Sequence, residues 1–475
     1  MLCVVWPSED RLAAMTYPFC VFQGLHFIWV LWSWKQVSGY YFSPYTLFFI
    51  AVQLFNGGDC LLEIFHLNKH GVLSLIANQV PADLIHKAVA LATTGMACIH
   101  LGALLGAYRR RVIEQKTVPI REISIEEENS LVKVLGWLFF AIGAIPATYT
   151  AITMTTSSIF EGYLVLYHGE SSYGINNWVA IASLFAVPGM LMLLTAYSRH
   201  KLMAGFLIGF AAFLCFSFLA SGLRGNAATL FLATVWLFHF RIRRIPAKLF
   251  VFGVVAAFLI CPAVAHMRHV HGWNRFSPTI FVQKMSNNRN PVIALVKEMG
   301  TSLRTVSYTM MLVPEKKEFM WGSGYLWTTT TVLPNVFWKE HPALKRTNFS
   351  PWLTKEVNPK LAAIGGGVGF SVFAEMYLNF SWFGTPLACI VLGYAIGAFS
   401  AIADKRAGPM FYAIAAILIS ILPYFARASS MNIMRPLVWF CVFPCIVFYL
   451  WRLHKKNAFM NYTAKLKSYC HFSST

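Results

Sequence analysis

Apolar runs of about 20 residues recur along the whole chain, and ~20 apolar residues are what a helix needs to cross ~30 Å of hydrocarbon. Open strands cannot satisfy their backbone in lipid, so each run is read as a helix. The runs fall at approximately 13–34, 44–66, 84–108, 131–151, 177–197, 202–221, 226–240, 247–266, 378–402, 409–426 and 436–452, about eleven spans in all. The expectation is an all-α polytopic integral membrane protein. Composition agrees: 57% of the 475 residues are apolar or aromatic and 12% are charged, about half the ~25% charge of soluble domains. Disorder is excluded, because disordered chains are poor in apolar residues.

Orientation follows from the basic loops. Arg109, Arg110 and Arg111 follow the third span, Arg199 and Lys201 the fifth, Arg241, Arg243, Arg244 and Lys248 the seventh, Lys405 and Arg406 the ninth, and Arg452, Lys455 and Lys456 the last. These clusters occupy every second loop and are expected in the cytoplasm with the C-terminus. Residues 152–176, 222–225, 267–377 and 427–435 then face the other side. MLCVVWPSEDR has acidic residues where a basic n-region should be, so no cleavable signal is expected.

The formal charge is +20, from 39 Lys and Arg against 19 Asp and Glu. In a soluble chain this would suggest nucleic acid; here cytoplasmic loops account for about half the excess. Much of the rest lies in residues 267–377, which carry thirteen Lys or Arg on the outer side. Long loops translocate largely regardless of charge, but a basic outer loop suits an anionic ligand. Its aromatics, among them Trp273, Phe276, Trp321, Tyr325, Trp327, Phe337, Trp338 and Trp352, argue for a folded cap. The chain thus divides into N-terminal spans (1–266), a large outer loop or cap (267–377), and C-terminal spans with a tail (378–475).

Four motifs carry candidate chemistry. Ser221-Gly222-Leu223-Arg224-Gly225-Asn226 reverses two spans at the outer face. Its glycines permit a tight turn, and Arg224 could grip phosphate with its fork or simply snorkel to headgroups. His266, Arg268, His269, His271 and Arg275 cluster just outside the eighth span, either as a basic rim around an anionic substrate or as a plain interfacial cluster; a metal would want a second ligand cluster, which is not evident. Gly365 to Gly384 runs from the cap into the membrane. Glu375 stands there in an apolar stretch, where a carboxylate is expensive and usually functional, a fitting general base or a partner for an arginine. Tyr377 and Asn379 follow it and could orient it or the acceptor. The Gly run lacks the GKS/T of a phosphate loop. Arg427 and Arg435 flank the short outer turn Ala428 to Met434, and Arg427 could complete a clamp. Asp59 and Glu63 share a helical face near a wet interface, and Glu126-Glu127-Glu128 reads as a solvated charge run. Cysteines such as Cys98, Cys215, Cys389 and Cys441 lie inside apolar runs and read as small core residues.

GFSVFAEMYLNFSWFGTPLACIVLGYAIG resembles the late signature of the bacterial O-antigen polymerases, the Wzy group of oligosaccharide repeat-unit polymerases. SGLRG looks like their central arginine turn, SPYTLFFIAVQLFNGGDCLLEIF is similar to their early spans, and RASSMNIMRP precedes the last span as it does in them. The resemblance covers about residues 40 to 450. It implies a multi-pass inner-membrane glycosyltransferase with an architecture like other lipid-dependent membrane glycosyltransferases of the GT-C kind. Such an enzyme moves a growing glycan from one undecaprenyl diphosphate carrier onto the next lipid-linked repeat unit at the periplasmic face. Read from the residues themselves, Glu375 and Arg224 are the expected catalytic groups, with Arg427, Arg268, Arg275, Arg435, His266, His269, Tyr377 and Asn379 around the substrates and His266 and His269 the rival bases. No cofactor and no metal are expected, since the sugar–diphosphate bond is already activated and arginines can stabilise the departing diphosphate. Partners would be the lipid-linked donor and acceptor, the bilayer, and the chain-length regulator and flippase of the same pathway; nucleic acid is not one. An O-antigen ligase shares donor and chemistry and stays open. A transporter or flippase would want pseudo-symmetric halves and charges buried along several spans.

Overall fold

The structure, a computed structural model, describes residues 9–68, 71–74, 76, 79–116, 124–167, 175–246, 248–249, 252–253, 270, 272–286, 290–334, 341–402 and 407–455. Among these the regular elements are helical, with no strand. The first helices are α1 (Glu9–Ser38), α2 (Pro44–Ile64), α3 (Ala82–Lys116), α4 (Ile125–Phe160), the pair α5 (Asn177–Ser183) and α6 (Ala186–Ala196), α7 (Lys201–Ala220) and α8 (Arg224–Leu237). Short helices α9 (Pro278–Ser286), α10 (Pro291–Gly300), α11 (Ser302–Leu312), α12 (Ser323–Thr329), α13 (Pro342–Thr347), α14 (Phe349–Val357) and α15 (Pro359–Ala363) follow. Then come α16 (Val372–Ser400), α17 (Pro409–Phe425) and α18 (Met431–Lys455).

Eight stretches among the described residues are long and apolar enough to cross a membrane: α1, α2, α3, α4, α5 with α6, α7, α16 and α18. Two more of the expected spans are shorter. α17 has 17 residues, and α8 has 14 before a π turn at Phe238–Ile242. The expected span 247–266 falls almost wholly outside the described residues. α4 is longer than its apolar run because Ser124 starts it early: the Ser124 hydroxyl accepts from Glu127 N, and Glu127 reaches back, a reciprocal cap.

Facing glycines set the position of α16. Gly102 and Gly106 of α3 lie on the α16 backbone at Ile390 and Tyr394, and Gly393 and Gly397 of α16 lie on the α3 backbone at Ile99 and Ala103, a small-x3-small spacing on both helices. A Cβ at Gly393 would stand 1.9 Å from the Ile99 carbonyl oxygen, and one at Gly102 would stand 2.1 Å from that of Ile390. Backbone thus lies on backbone, and no side chain can rotate away to relieve a larger residue. Gly102→Leu or Gly393→Leu is therefore expected to lower the thermal midpoint of the detergent-solubilised protein, at a cost of about 1–3 kcal/mol or more from overpacking. Gly205→Leu, where a Cβ meets nothing within 4 Å, should leave the midpoint unmoved.

The helix ends sort as the basic loops require. Lys455 pairs with Glu127 at 3.0 Å, Met410 N donates to Glu128 Oε1 at 2.9 Å, and Asn129 Nδ2 donates to the Ala196 carbonyl at 3.1 Å. One end therefore gathers the C-terminal ends of α6 and α18 and the N-terminal ends of α4 and α17. Glu128 corrects the reading of Glu126–Glu128 as wholly solvated: it is buried against the start of α17, where backbone N–H groups lack helical partners. Short helices fill much of the long loop's described part. α11 sinks Leu303, Val306 and Leu312 into the core shared by α2, α3 and α16. Asp59 is likewise corrected, being buried rather than at a wet interface.

Candidate active site

α16 begins six residues earlier than its apolar run. Ser371 caps it, its side chain accepting from Phe373 N at 3.1 Å. Glu375 therefore lies in the first turn of the long helix, with its backbone N–H bonded to the Ser371 carbonyl at 3.0 Å. Its side chain is buried completely. A buried carboxylate needs donors, and Ser430 supplies two. The Ser430 N–H donates to Oε2 at 2.7 Å and its hydroxyl donates to Oε1 at 2.5 Å. The helix N-terminus also favours negative charge there. Sequence reasoning had considered an arginine partner; Ser430, from the turn between α17 and α18, takes that place. Ser430 Oγ is also 3.3 Å from Thr328 Oγ1 of α12.

Tyr325 of α12 stands beside this pair. Its ring stacks on Phe380 with centroids 5.7 Å apart, and its phenol oxygen is buried with no hydrogen-bond partner. Burial, and secondarily the Glu375 charge, push this phenol well above its ordinary range. It keeps its proton and can donate it to a ligand. Sequence analysis counted Tyr325 only among the loop aromatics; nothing local in YLWTTT distinguishes it.

The predicted cations divide. Arg427 is exposed at the end of α17, with its guanidinium over the Phe55 ring at 5.2 Å. Arg224 opens α8, after a turn through Gly222 at φ +84°, and is ion-paired with Glu298 of α10. Arg435 donates to the Thr331 carbonyl at 2.7 Å and lies over Trp439 at 5.5 Å. Arg275 is not a substrate rim but a buried staple. It donates to the Val270, Ser158 and Ala220 carbonyls at 3.0, 2.7 and 2.8 Å, and to Ser158 Oγ at 3.0 Å. The ends of α4 and α7 are thereby tied to the loop. His266, Arg268 and His269 lie outside the described residues.

Tyr377 and Asn379 are likewise frame rather than lining. Tyr377 is buried between Phe319 and Trp382, at ring distances of 5.5 and 5.8 Å. Asn379 donates to the Glu375 carbonyl at 3.0 Å and accepts from Gly324 N at 3.1 Å. Tyr377, two positions on, points to another face than Glu375; Asn379, four positions on, shares the Glu375 face, but its side chain is occupied by these two bonds. Beyond Phe380 the helix breaks at Ser381 (φ +57°). The buried first turns are thereby set off from a second part that is exposed at Phe383 and Val391.

Apolar cavities flank the Glu375–Ser430 contact. A furrow of about 600 Å³ is lined by Tyr325, Met376, Phe380, Leu392 and Phe425. It continues past Leu392, Ala395 and Phe425 into another of about 510 Å³ that reaches Tyr449. On the other face of α18 a cavity of about 520 Å³ has Asn226, Thr229, Tyr424 and Asn432 among a mainly apolar lining that includes Leu214 and Phe218.

The family model described as "O-antigen polysaccharide polymerase Wzy" matches residues 13–457. No curated protein and no solved structure matches the chain.

Proposed function

We propose that this chain, which belongs to the O-antigen polysaccharide polymerase (Wzy) family, transfers a growing glycan from one undecaprenyl diphosphate carrier onto the next lipid-linked repeat unit at the periplasmic face of the inner membrane. The observation that carries the reading is the completely buried Glu375 held against Ser430 between apolar cavities, with Arg427 three residues from that serine. An isoprenoid tail needs an apolar slot along a membrane helix, and the furrow beside α16 offers one. A diphosphate needs cations at the mouth of such a slot.

In this reading an acceptor sugar hydroxyl attacks the anomeric carbon of the glycan, and the bond from that carbon to the diphosphate oxygen breaks. The hydroxyl's proton passes to Ser430 Oγ while the Ser430 proton passes to Glu375, so the carboxylate is the net base. Arg427 and Arg224 offset the charge that develops on the departing undecaprenyl diphosphate. Arg224 would exchange part of its contact with Glu298 for the phosphate. Tyr325 contacts the sugar or diphosphate beside Phe380.

Lipopolysaccharide from a deletion strain tests the reading. Loss of the gene should leave single repeats on lipid A, and restoring it should return the ladder. Long polymer retained on the carrier would instead identify a ligase. Topology has its own check. Lys316→Cys, on the long loop, should react with an impermeant thiol reagent in cells with a permeabilised outer membrane. Lys201→Cys should react only after the inner membrane is lysed. The reverse pattern contradicts the orientation.

A further inference from the structure

Asn56 lies inside a membrane-long helix, α2, and is completely buried. A polar amide there is costly unless it is fully bonded, and its bonds reach both arms of the candidate site. The Ser371 hydroxyl donates to Asn56 Oδ1 at 2.6 Å. Asn56 Nδ2 donates to the Ala426 carbonyl at 2.9 Å, and to Val52 of its own helix at 3.3 Å. Ser371 is the cap of the helix that carries Glu375. A hydroxyl has one proton; Asn56 takes it, which turns a lone pair toward Phe373 N. Ala426 directly precedes Arg427 and stands four residues before Ser430.

The neighbours of Asn56 extend the same pattern. Phe55 lies under the Arg427 guanidinium. Gly58 lets α10 approach until a Cβ there would be 2.9 Å from the Val296 carbonyl oxygen, and α10 carries Glu298, the partner of Arg224. One short stretch of α2 thus touches the mountings of Glu375, Arg427 and Arg224.

We infer that Asn56 is the positioning residue of this site, fixing the Glu375 helix against the turn that bears Arg427 and Ser430. It touches no substrate and acts through Ser371 and Ala426. The inference rests on the polymerase reading with Glu375 as base. Displacing a reacting group by about 1 Å costs on the order of a hundredfold in rate, so loss of these bonds should appear in turnover more than in binding.

The test uses the full chain in proteoliposomes, with lipid-linked repeat units extracted from a strain lacking the gene as the probe. Asn56→Ala removes both inter-element bonds. Asn56→Thr also removes both inter-element bonds but leaves less empty space and buries no charge, its hydroxyl being able to bond the Val52 carbonyl of its own helix, and it guards against a variant that fails to fold. Both are compared per folded molecule, quantified by monodisperse elution and thermal midpoint. The expected result for Asn56→Ala is a kcat about tenfold to a hundredfold lower, with KM within about twofold, as for an interaction expressed in the transition state. Ser371→Ala should cost less in the Asn56→Ala background than in the wild type, because the bond the two share is already gone. Unchanged kcat per folded molecule, a change confined to KM, or additive losses in the double variant would overturn the positioning role. A wild-type protein that fails to extend these units would instead sink the polymerase reading, so the two failures are distinguishable.

Discussion

Glu375→Gln is expected to abolish polymer while the protein inserts at its normal level and single-repeat lipopolysaccharide persists. The substitution separates the two things a buried carboxylate can do here. As a tie, Glu375 accepts from the Ser430 N–H and hydroxyl. A glutamine can reproduce that tie, because its oxygen accepts from the N–H while its amide donates to a hydroxyl that can accept as well as donate. As a base, glutamine is useless. General base catalysis contributes about 10²–10⁴-fold, and a polymerase slowed that far leaves no visible ladder. Normal polymer in this variant would reduce Glu375 to a tie, and polymer lost together with degraded protein would do the same. Ser430→Ala removes the hydroxyl through which the proton reaches the buried Glu375 but leaves the N–H tie, so its loss of polymer should approach that of Glu375→Gln at an equal level of inserted protein.

Arg427→Ala is expected to cut the elongation rate by about tenfold to a hundredfold, since a hydrogen bond to a charged group contributes about 1.5–3 kcal/mol. The exposed guanidinium on Phe55 is ion-paired with no carboxylate among the described residues, so its removal leaves no buried charge behind. Arg224→Ala should also slow elongation, and it uncouples α8 from Glu298 of α10. Lys at either position should rescue poorly, because an ammonium lacks the fork that meets two phosphate oxygens. Elongation rates of purified variants, normalised to folded protein, check this. Full activity in Arg427→Ala would remove Arg427 from the diphosphate site.

The membrane class was legible because apolar run length is a direct readout of bilayer thickness. The turn Ser221–Asn226 and the mounting of Glu375 in a re-entering segment were legible for the same reason, a charge or glycine being conspicuous in an apolar run. Partnerships were not. Ser430 is 55 residues from Glu375 and Asn56 is 315 from Ser371, and no local pattern encodes such pairings. The arginines show the limit most clearly. Arg275 and Arg427 look alike in sequence, yet one is spent on carbonyls of α4 and α7 while the other stays at the surface. Burial, which sequence gives only as an average, decides between them. Glu128 was misread because a charge run suggests solvent, whereas one of its members faces the start of another helix.

Reconstitution of the purified protein with its lipid-linked repeat units, and nothing else from the cell, tests the central claim most directly. The account predicts a ladder of glycans on undecaprenyl diphosphate, one carrier released for each bond formed, and no ladder with Glu375→Gln at equal folded protein. Units that stay single with the wild type, or that move only when lipid A core is supplied as acceptor, would contradict it.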